Sequence, residues 1–207
     1  MRAKYLNNFR KARQVACFKS YKNGRTMWAE SELERNTQRY YEYQPDVFSF
    51  KEQPKQYAYI DENGEERSNT PDLLLQTVHG EELKETKPDI FTHSDRAVKR
   101  FNHLRMCFHK AKNLNLSYIT DKEVYAGSTT ENLKRIHHYR RLNISNINLT
   151  EVVKAIGEQP SFGALKQYVQ STGLQVKHAL ALLGHQVFRF DYKEALSDST
   201  SLTFTGE

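Results

Sequence analysis

Thr70-Pro71-Asp72-Leu73-Leu74-Leu75-Gln76-Thr77-Val78-His79-Gly80-Glu81-Glu82-Leu83-Lys84-Glu85-Thr86-Lys87-Pro88 is the stretch that decides the fold. An apolar run starts right after a Pro-Asp pair and reads as a strand through Val78. Gly80 marks a turn. Glu82 to Lys87 reads as a second, more polar strand, stopped by Pro88. Residues two apart on a strand share a face, so Glu85 and Lys87 project together. Pairing of the two strands would bring Asp72 beside them.

Upstream, the Gly- and Pro-free stretch from Met27 predicts a helix over about 29–43, ended by Pro45. Val47 to Gln53 and Tyr57 to Ile60 read as strands, and Asp61-Glu62-Asn63-Gly64 as a hairpin turn leading on toward the Asp72 strand. Downstream, Ala97, Phe101, Leu104, Phe108 and Ala111 recur at three- and four-residue spacing and predict a helix over 94–112 with Ser94 as N-cap. Leu116 to Thr120 reads as a strand and 129–142 as a helix. The expected class is α/β, a mixed sheet flanked by helices.

An Asn- and Ser-rich stretch at 143–149 reads as a linker. Beyond it, helices are expected at about 149–157, 161–171 and 174–184, with Thr172-Gly173 between the last two. Gln186 to Tyr192 and Ser201 to Thr205 would form a strand pair. Three helices and a ribbon suggest a small winged-helix-like domain. The Ser/Thr-rich tail from Ser197 to Glu207 reads as mobile. The chain is thus divided into a basic arm at 1–25, a central domain at 26–145 and a C-terminal domain at 146–207.

Charge is unevenly placed. Residues 1–25 hold Arg2, Lys4, Arg10, Lys11, Arg13, Lys19, Lys22 and Arg25 and no acid, which leaves about −2 for the rest of a chain of net +6. A cationic arm ahead of a near-neutral body suits contact with a polyanion. Arg10, Lys11 and Arg13, and a second cluster of Lys134, Arg135, Arg140 and Arg141, are the expected phosphate contacts. Cys17 and Cys107 form no CxxC pair, which argues against zinc and fits a reducing cytoplasm. No apolar run of membrane-spanning length and no signal-like apolar segment occurs, so a cytoplasmic protein away from membranes is expected.

Glu34 on the first helix joins Asp72, Glu85 and Lys87 as the set with chemistry in it. Hard carboxylate oxygens suit Mg²⁺, which retains several waters. Such a site can activate water against a phosphodiester, with a second metal able to stabilise the leaving oxygen. A lysine beside it can hold the water or the phosphate and stabilise charge. By residue types alone, the same pattern fits a strand edge with surface ion pairs. Glu30 competes with Glu34, since the two would share one helical face.

Several linked elements resemble the TnsA endonuclease family, the nuclease subunits of heteromeric TnsA/TnsB-type transposons. They are Ser31 to Glu34 as Ser-x-Leu-Glu, then Val47, Glu52-Gln53-Pro54, Thr70-Pro71-Asp72, and Glu85-x-Lys87 before Pro88. The resemblance covers roughly residues 15–90 and extends loosely to about 120. It implies a PD-(D/E)xK, restriction-endonuclease-like fold and a Mg²⁺-dependent DNA endonuclease in which Mn²⁺ can substitute, with one or two ions. Glu34, Asp72 and Glu85 would bind metal, Lys87 would be catalytic, and Gln53 would lie near the site. Proteins of this kind cut the 5′ strands at transposon ends. A DDE-type transposase, TnsB, cuts and joins the 3′ strands, and an AAA+ regulator, TnsC, joins the assembly. The C-terminal part would dock these partners in the bacterial cytoplasm. The chain departs from longer family members in its compact C-terminal part. Two rivals remain open: a restriction-like or junction-resolving nuclease acting alone, and a non-catalytic scaffold bridging DNA and an ATPase.

Overall fold

A computed structural model describes residues 16–206 of the chain. It contains two compact units, divided between Val124 and Tyr125. That division falls earlier than the expected 145/146 boundary, because the helix expected at 129–142 packs within the second unit.

The first unit opens on an antiparallel hairpin of β1 (Ala16–Ser20) and β2 (Arg25–Ala29). Helix α1 (Glu32–Glu42) and β3 (Val47–Glu52) follow. A separate two-stranded ribbon comprises β4 (Tyr57–Ile60) and β5 (Glu66–Asn69). Then come β6 (Leu73–Thr77), β7 (Gly80–Lys87), a single 3-10 turn at Asp89–Phe91, α2 (Asp95–Lys112), β8 (Asn115–Thr120) and the short α3 (Asp121–Val124). The main sheet has the order β3-β6-β7-β8. Its first two pairings are antiparallel, and β7 runs parallel to β8 with α2 as the crossover. The mixed α/β sheet flanked by helices is therefore present.

Both faces of this sheet are covered, which explains why Leu73, Leu74 and Leu75 are consecutive apolar residues. Leu73, Leu75 and Ile119 face one side and pack with Phe18, Met27, Tyr41, Val47 and Phe50 from the hairpin, α1 and β3. Leu74, Leu83 and Leu116 face the other side and pack with Leu104 and Phe108 of α2 and with Tyr57 of the ribbon. Each fully buried leucine among them contributes about 1.5–3 kcal/mol.

Several expectations change here. The turn at Asp61–Gly64 joins β4 to β5, not to the Asp72 strand; β6 pairs instead with β3 and β7. Residues 16–25 belong to the hairpin and are not part of a free arm. Lys22 extends its ammonium to the carbonyls of Tyr41, Gln44 and Val47 at 3.0, 2.5 and 2.6 Å, which caps the C-terminal end of α1. The buried Glu42 carboxylate accepts from the Ser20 hydroxyl and from the Tyr21 and Lys22 amides. Arg25 forms a two-pronged pair with Glu52. Arg10, Lys11 and Arg13 lie outside the described residues.

The second unit comprises α4 (Thr129–Tyr139), α5 (Leu149–Ile156), α6 (Phe162–Ser171), α7 (Val176–Gly184) and the strands β9 (Phe188–Arg189) and β10 (Thr203–Phe204). The expected strand pair shrinks to two residues on each side. Residues 179–184 of α7 are buried in succession, while Lys177 at its start is exposed. Gly184 permits close packing of α7 on α4, since a Cβ there would meet the Ile136 carbonyl oxygen at 2.5 Å. The tail is not a loose end. Leu202 is buried and donates to the Pro160 carbonyl at 2.8 Å, Phe204 donates to Glu158, and the Phe162 and Gly163 amides donate to Thr200 and Asp198. Composition suggests mobility there; backbone pairing across the start of α6 overrides it. No helix among the described residues is long and apolar enough to cross a membrane.

Candidate functional site

The antiparallel register of β6 and β7 pairs Leu73 with Lys84. One step further, it sets Asp72 opposite Glu85. The Thr86 amide donates to Asp72 Oδ2 at 2.7 Å and pins the carboxylate there. Lys87 follows on the same face of β7, its Nζ 3.9 Å from Glu85 Oε1. At that separation the pair is an electrostatic neighbour and not a hydrogen bond. Glu85 Oε2 is buried and has no hydrogen-bond partner among the described residues. A buried, unsatisfied carboxylate oxygen is expensive, so a cation or a proton is expected to occupy it.

Electrostatics point the same way. Burial pushes the Asp72 carboxyl up to about 6; the Thr86 amide opposes this, and the charge of Glu34 adds to it. Burial, then the charge of Asp72, pushes Glu85 up to about 7, against the pull of Lys87 and Arg100. Two neighbouring carboxyls, both with raised pKa values, hold protons that a divalent cation would have to displace on binding.

Glu34 lines a narrow cleft with Asp72, Gln53, Thr86, Trp28, Gln38, Glu52 and Leu73. Its free volume of about 10 Å³ is close to what one water-sized sphere fills. The Glu34 carboxylate, however, serves the start of α1. Ser31 is the N-cap and accepts from the Glu34 amide, while Glu34 Oε1 accepts from the Ser31 hydroxyl and Oε2 from the Glu30 amide at 2.9 Å each. This is a variant of the capping box. Among the described residues no three of His, Cys, Asp and Glu converge into a metal cage. Mg²⁺ rarely needs one, since it binds through one or two carboxylates and completes its shell with water and phosphate oxygens. By donor chemistry, Asp72 and Glu85 fit such an ion.

Glu30 stands before α1, not on it, because Ser31 has extended backbone and the helix begins at Glu32. The shared helical face expected for Glu30 and Glu34 therefore does not exist. Glu30 instead accepts from the Gln53 side chain at 3.1 Å. Gln53 itself has a left-handed backbone, φ 39°, and donates its amide to the Asp72 carbonyl at 2.9 Å. A non-glycine residue held there beside a cleft is a sign of local constraint.

Sequence reasoning missed three neighbours. Gln38 is buried, donates to the Trp28 carbonyl at 2.8 Å and leaves its Oε1 without a partner among the described residues. Its place four residues after Glu34 is the available signal. Arg100 of α2 acts electrostatically on Glu85, and Tyr118, opposite Glu85 in the β7–β8 register, stacks on Phe101. The basic cluster at 134–141 belongs to the second unit. Lys134, Arg135 and Arg141 are exposed, but Arg140 is half-buried and acts on the buried Tyr192 hydroxyl. Arg140 and Arg141 lie beyond the end of α4, which stops at Tyr139. No protein-family model and no curated protein matches the chain.

Proposed function

We propose that this protein is a Mg²⁺-dependent DNA endonuclease of the PD-(D/E)xK, restriction-endonuclease-like type, acting as the TnsA-like nuclease subunit of a DNA transposase complex. The observation that carries the reading is the juxtaposition of Asp72 and Glu85 on neighbouring strands, both largely withdrawn from solvent, with one Glu85 oxygen unsatisfied and Lys87 beside it. A solvated strand edge does not account for it. Exposed carboxylates would have neither raised pKa values nor an orphan oxygen.

Asp72 and Glu85 would hold Mg²⁺ or Mn²⁺, one ion or two, and Glu34 would join by giving up its cap hydrogen bonds. When bound, the ion supplies Lewis acidity at the phosphate and lowers the pKa of water. The Thr86 amide keeps Asp72 turned toward the site. Lys87, half exposed, stabilises negative charge gathering on the phosphate. Water oxygen bonds to phosphorus, the bond to the 3′ oxygen breaks, and a 5′-phosphate and a 3′-hydroxyl remain.

The biological setting rests on the resemblance. The substrate is double-stranded DNA at transposon ends, the partners are a DDE-type TnsB transposase and an AAA+ TnsC regulator, and the work is done in the bacterial cytoplasm. The second unit, read as winged-helix-like, serves partner docking; the scarcity of cations along α6 and α7, which carry only Lys166 and Lys177, favours this over base reading. The exposed Lys134, Arg135 and Arg141 are its phosphate contacts.

The deciding experiment is strand-resolved cleavage at a transposon end with the partner transposase and Mg²⁺, wild type against Asp72→Ala. Loss of 5′-strand cutting alone supports the reading. Unchanged cutting of both strands in the variant refutes it, and cutting by the pure chain without a transposase favours an autonomous nuclease.

A further inference from the structure

Lone exposed apolar side chains are ordinary on protein surfaces. Ile90 and Phe91 differ, being consecutive and 78% and 67% exposed. They form the tip of the 3-10 turn that follows Lys87 and Pro88, so they stand next in the chain to the candidate site. The turn is tied down on several sides. The Asp89 amide donates to Asp121 Oδ1 at 2.7 Å; its carboxylate binds Lys122 Nζ at 2.6 Å and the His93 ring at 2.8 Å. The Thr92 hydroxyl donates to the Asp89 carbonyl at 2.7 Å. Two large apolar groups are thus presented to water on a support that cannot easily fold them away.

Their surroundings are cationic. Lys87 precedes the tip, Lys122 is paired to Asp89 below it, and the first turns of α2 carry Arg96, Lys99 and Arg100 against Asp95. Arg96, Lys99 and Arg100 share one face of the first turns of α2. All three are exposed and form no ion pair among the described residues. An apolar wedge flanked by unpaired cations is the pattern of proteins that kink duplex DNA.

We propose, resting on the nuclease reading, that Ile90 and Phe91 form a wedge that inserts at a base step of duplex DNA beside the cleaved phosphate, while Arg96 and Lys99 grip the backbone. The wedge would unstack that step and bend the duplex, which brings the target phosphodiester toward Asp72 and Glu85.

The test uses the full chain in an Asp72→Ala background, so that the DNA stays intact. A short duplex labelled at both ends reports affinity by anisotropy over a salt series and bending by end-to-end energy transfer. Ile90→Ser/Phe91→Ser should weaken binding about tenfold, abolish the bend and leave the salt slope unchanged. Arg96→Gln/Lys99→Gln should lower that slope by about 2, since each phosphate contact contributes about 0.9. Thermal melts should show both variants folded, as all four side chains are exposed. A wedge variant that bends and binds DNA like its parent overturns the proposal. So does one that retains DNA binding and loses only the partner transposase, which would mark a protein-docking tip. Cleavage by the Asp72-containing chain with the partner transposase and Mg²⁺, run in parallel, separates the two readings: cutting without bending sinks the wedge alone, and bending without Asp72-dependent cutting of the 5′ strand sinks the nuclease.

Discussion

Replacing Asp72 by asparagine should make the metal-free protein more stable while destroying its activity. Burial lifts the Asp72 carboxyl from an ordinary 3.8 to about 6. At about 1.4 kcal/mol for each tenfold change in the proton equilibrium, that difference is worth about 3 kcal/mol. The sign is the reverse of the usual salt-bridged aspartate. The folded chain keeps a proton that the unfolded chain gives up, so stability declines as pH rises from about 4 through 6 and is flat above. Glu85, lifted from 4.5 to about 7, extends the decline to about pH 7. The asparagine side chain carries no charge, and its amide oxygen can still accept from the Thr86 amide. The substitution also removes the second-largest cause of the Glu85 shift. In EDTA at pH 8 the Asp72→Asn variant should therefore exceed wild type by about 3 kcal/mol, or on the order of 6–12 °C in Tm for a chain of this size. Near pH 4 the difference should vanish. Mg²⁺ or Mn²⁺ should raise the wild-type Tm and leave the variant unmoved. Denaturation curves for both proteins across pH 4–9 decide the matter. An Asp72→Asn protein no more stable than wild type at pH 8, or a gap that ignores pH, would refute the buried-carboxylate argument.

Other perturbations separate roles within the same molecule. Lys87→Ala should abolish cleavage yet keep the metal-induced rise in Tm, because Lys87 is no ligand, whereas Glu85→Gln should lose both; metal titration calorimetry distinguishes them. Lys22→Met removes the ammonium that joins the Tyr41 carbonyl of α1 to the Gln44 and Val47 carbonyls that follow it and should destabilise by about 1–3 kcal/mol in urea. Glu34→Ala removes the two carboxylate oxygens that accept from the Glu30 amide and the Ser31 hydroxyl and should cost about 1 kcal/mol, with cleavage falling far more than that loss explains. Gly184→Ala forces a Cβ against the Ile136 carbonyl and should cost about 1–3 kcal/mol, read as a lower melting temperature.

The parts legible in the sequence are those where chemistry and spacing coincide over a few residues. The alternation along Leu83, Glu85 and Lys87 sets one face of β7, and the Gly80 turn returns the chain along Asp72, so local rules suffice to put the two carboxylates together. Ser94 and the apolar period behind it define α2 equally locally. The hairpin at 16–29 is hard to read because its cations outweigh its pattern. Phe18 and Met27 are the signal, and they face each other in register and are buried. The ribbon of β4 and β5 differs from expectation because a turn signal names a reversal but not its partner strand.

Charge is the least legible property, since sequence shows the sign of a side chain and not what neutralises it. Lys22 and Arg25 look like members of a polyanion-binding arm, yet one caps a helix and the other pairs with Glu52. The cations of α2 are hidden behind the apolar period of that helix, which already explains it as a core element. Only packing shows that Leu104 and Phe108 occupy one side and leave Arg96, Lys99 and Arg100 to solvent. The same logic governs the site. The withdrawal of Asp72 and Glu85 from solvent is a consequence of covering both faces of the sheet, and it alone turns two acidic residues on a strand pair into a place that calls for a proton or a cation.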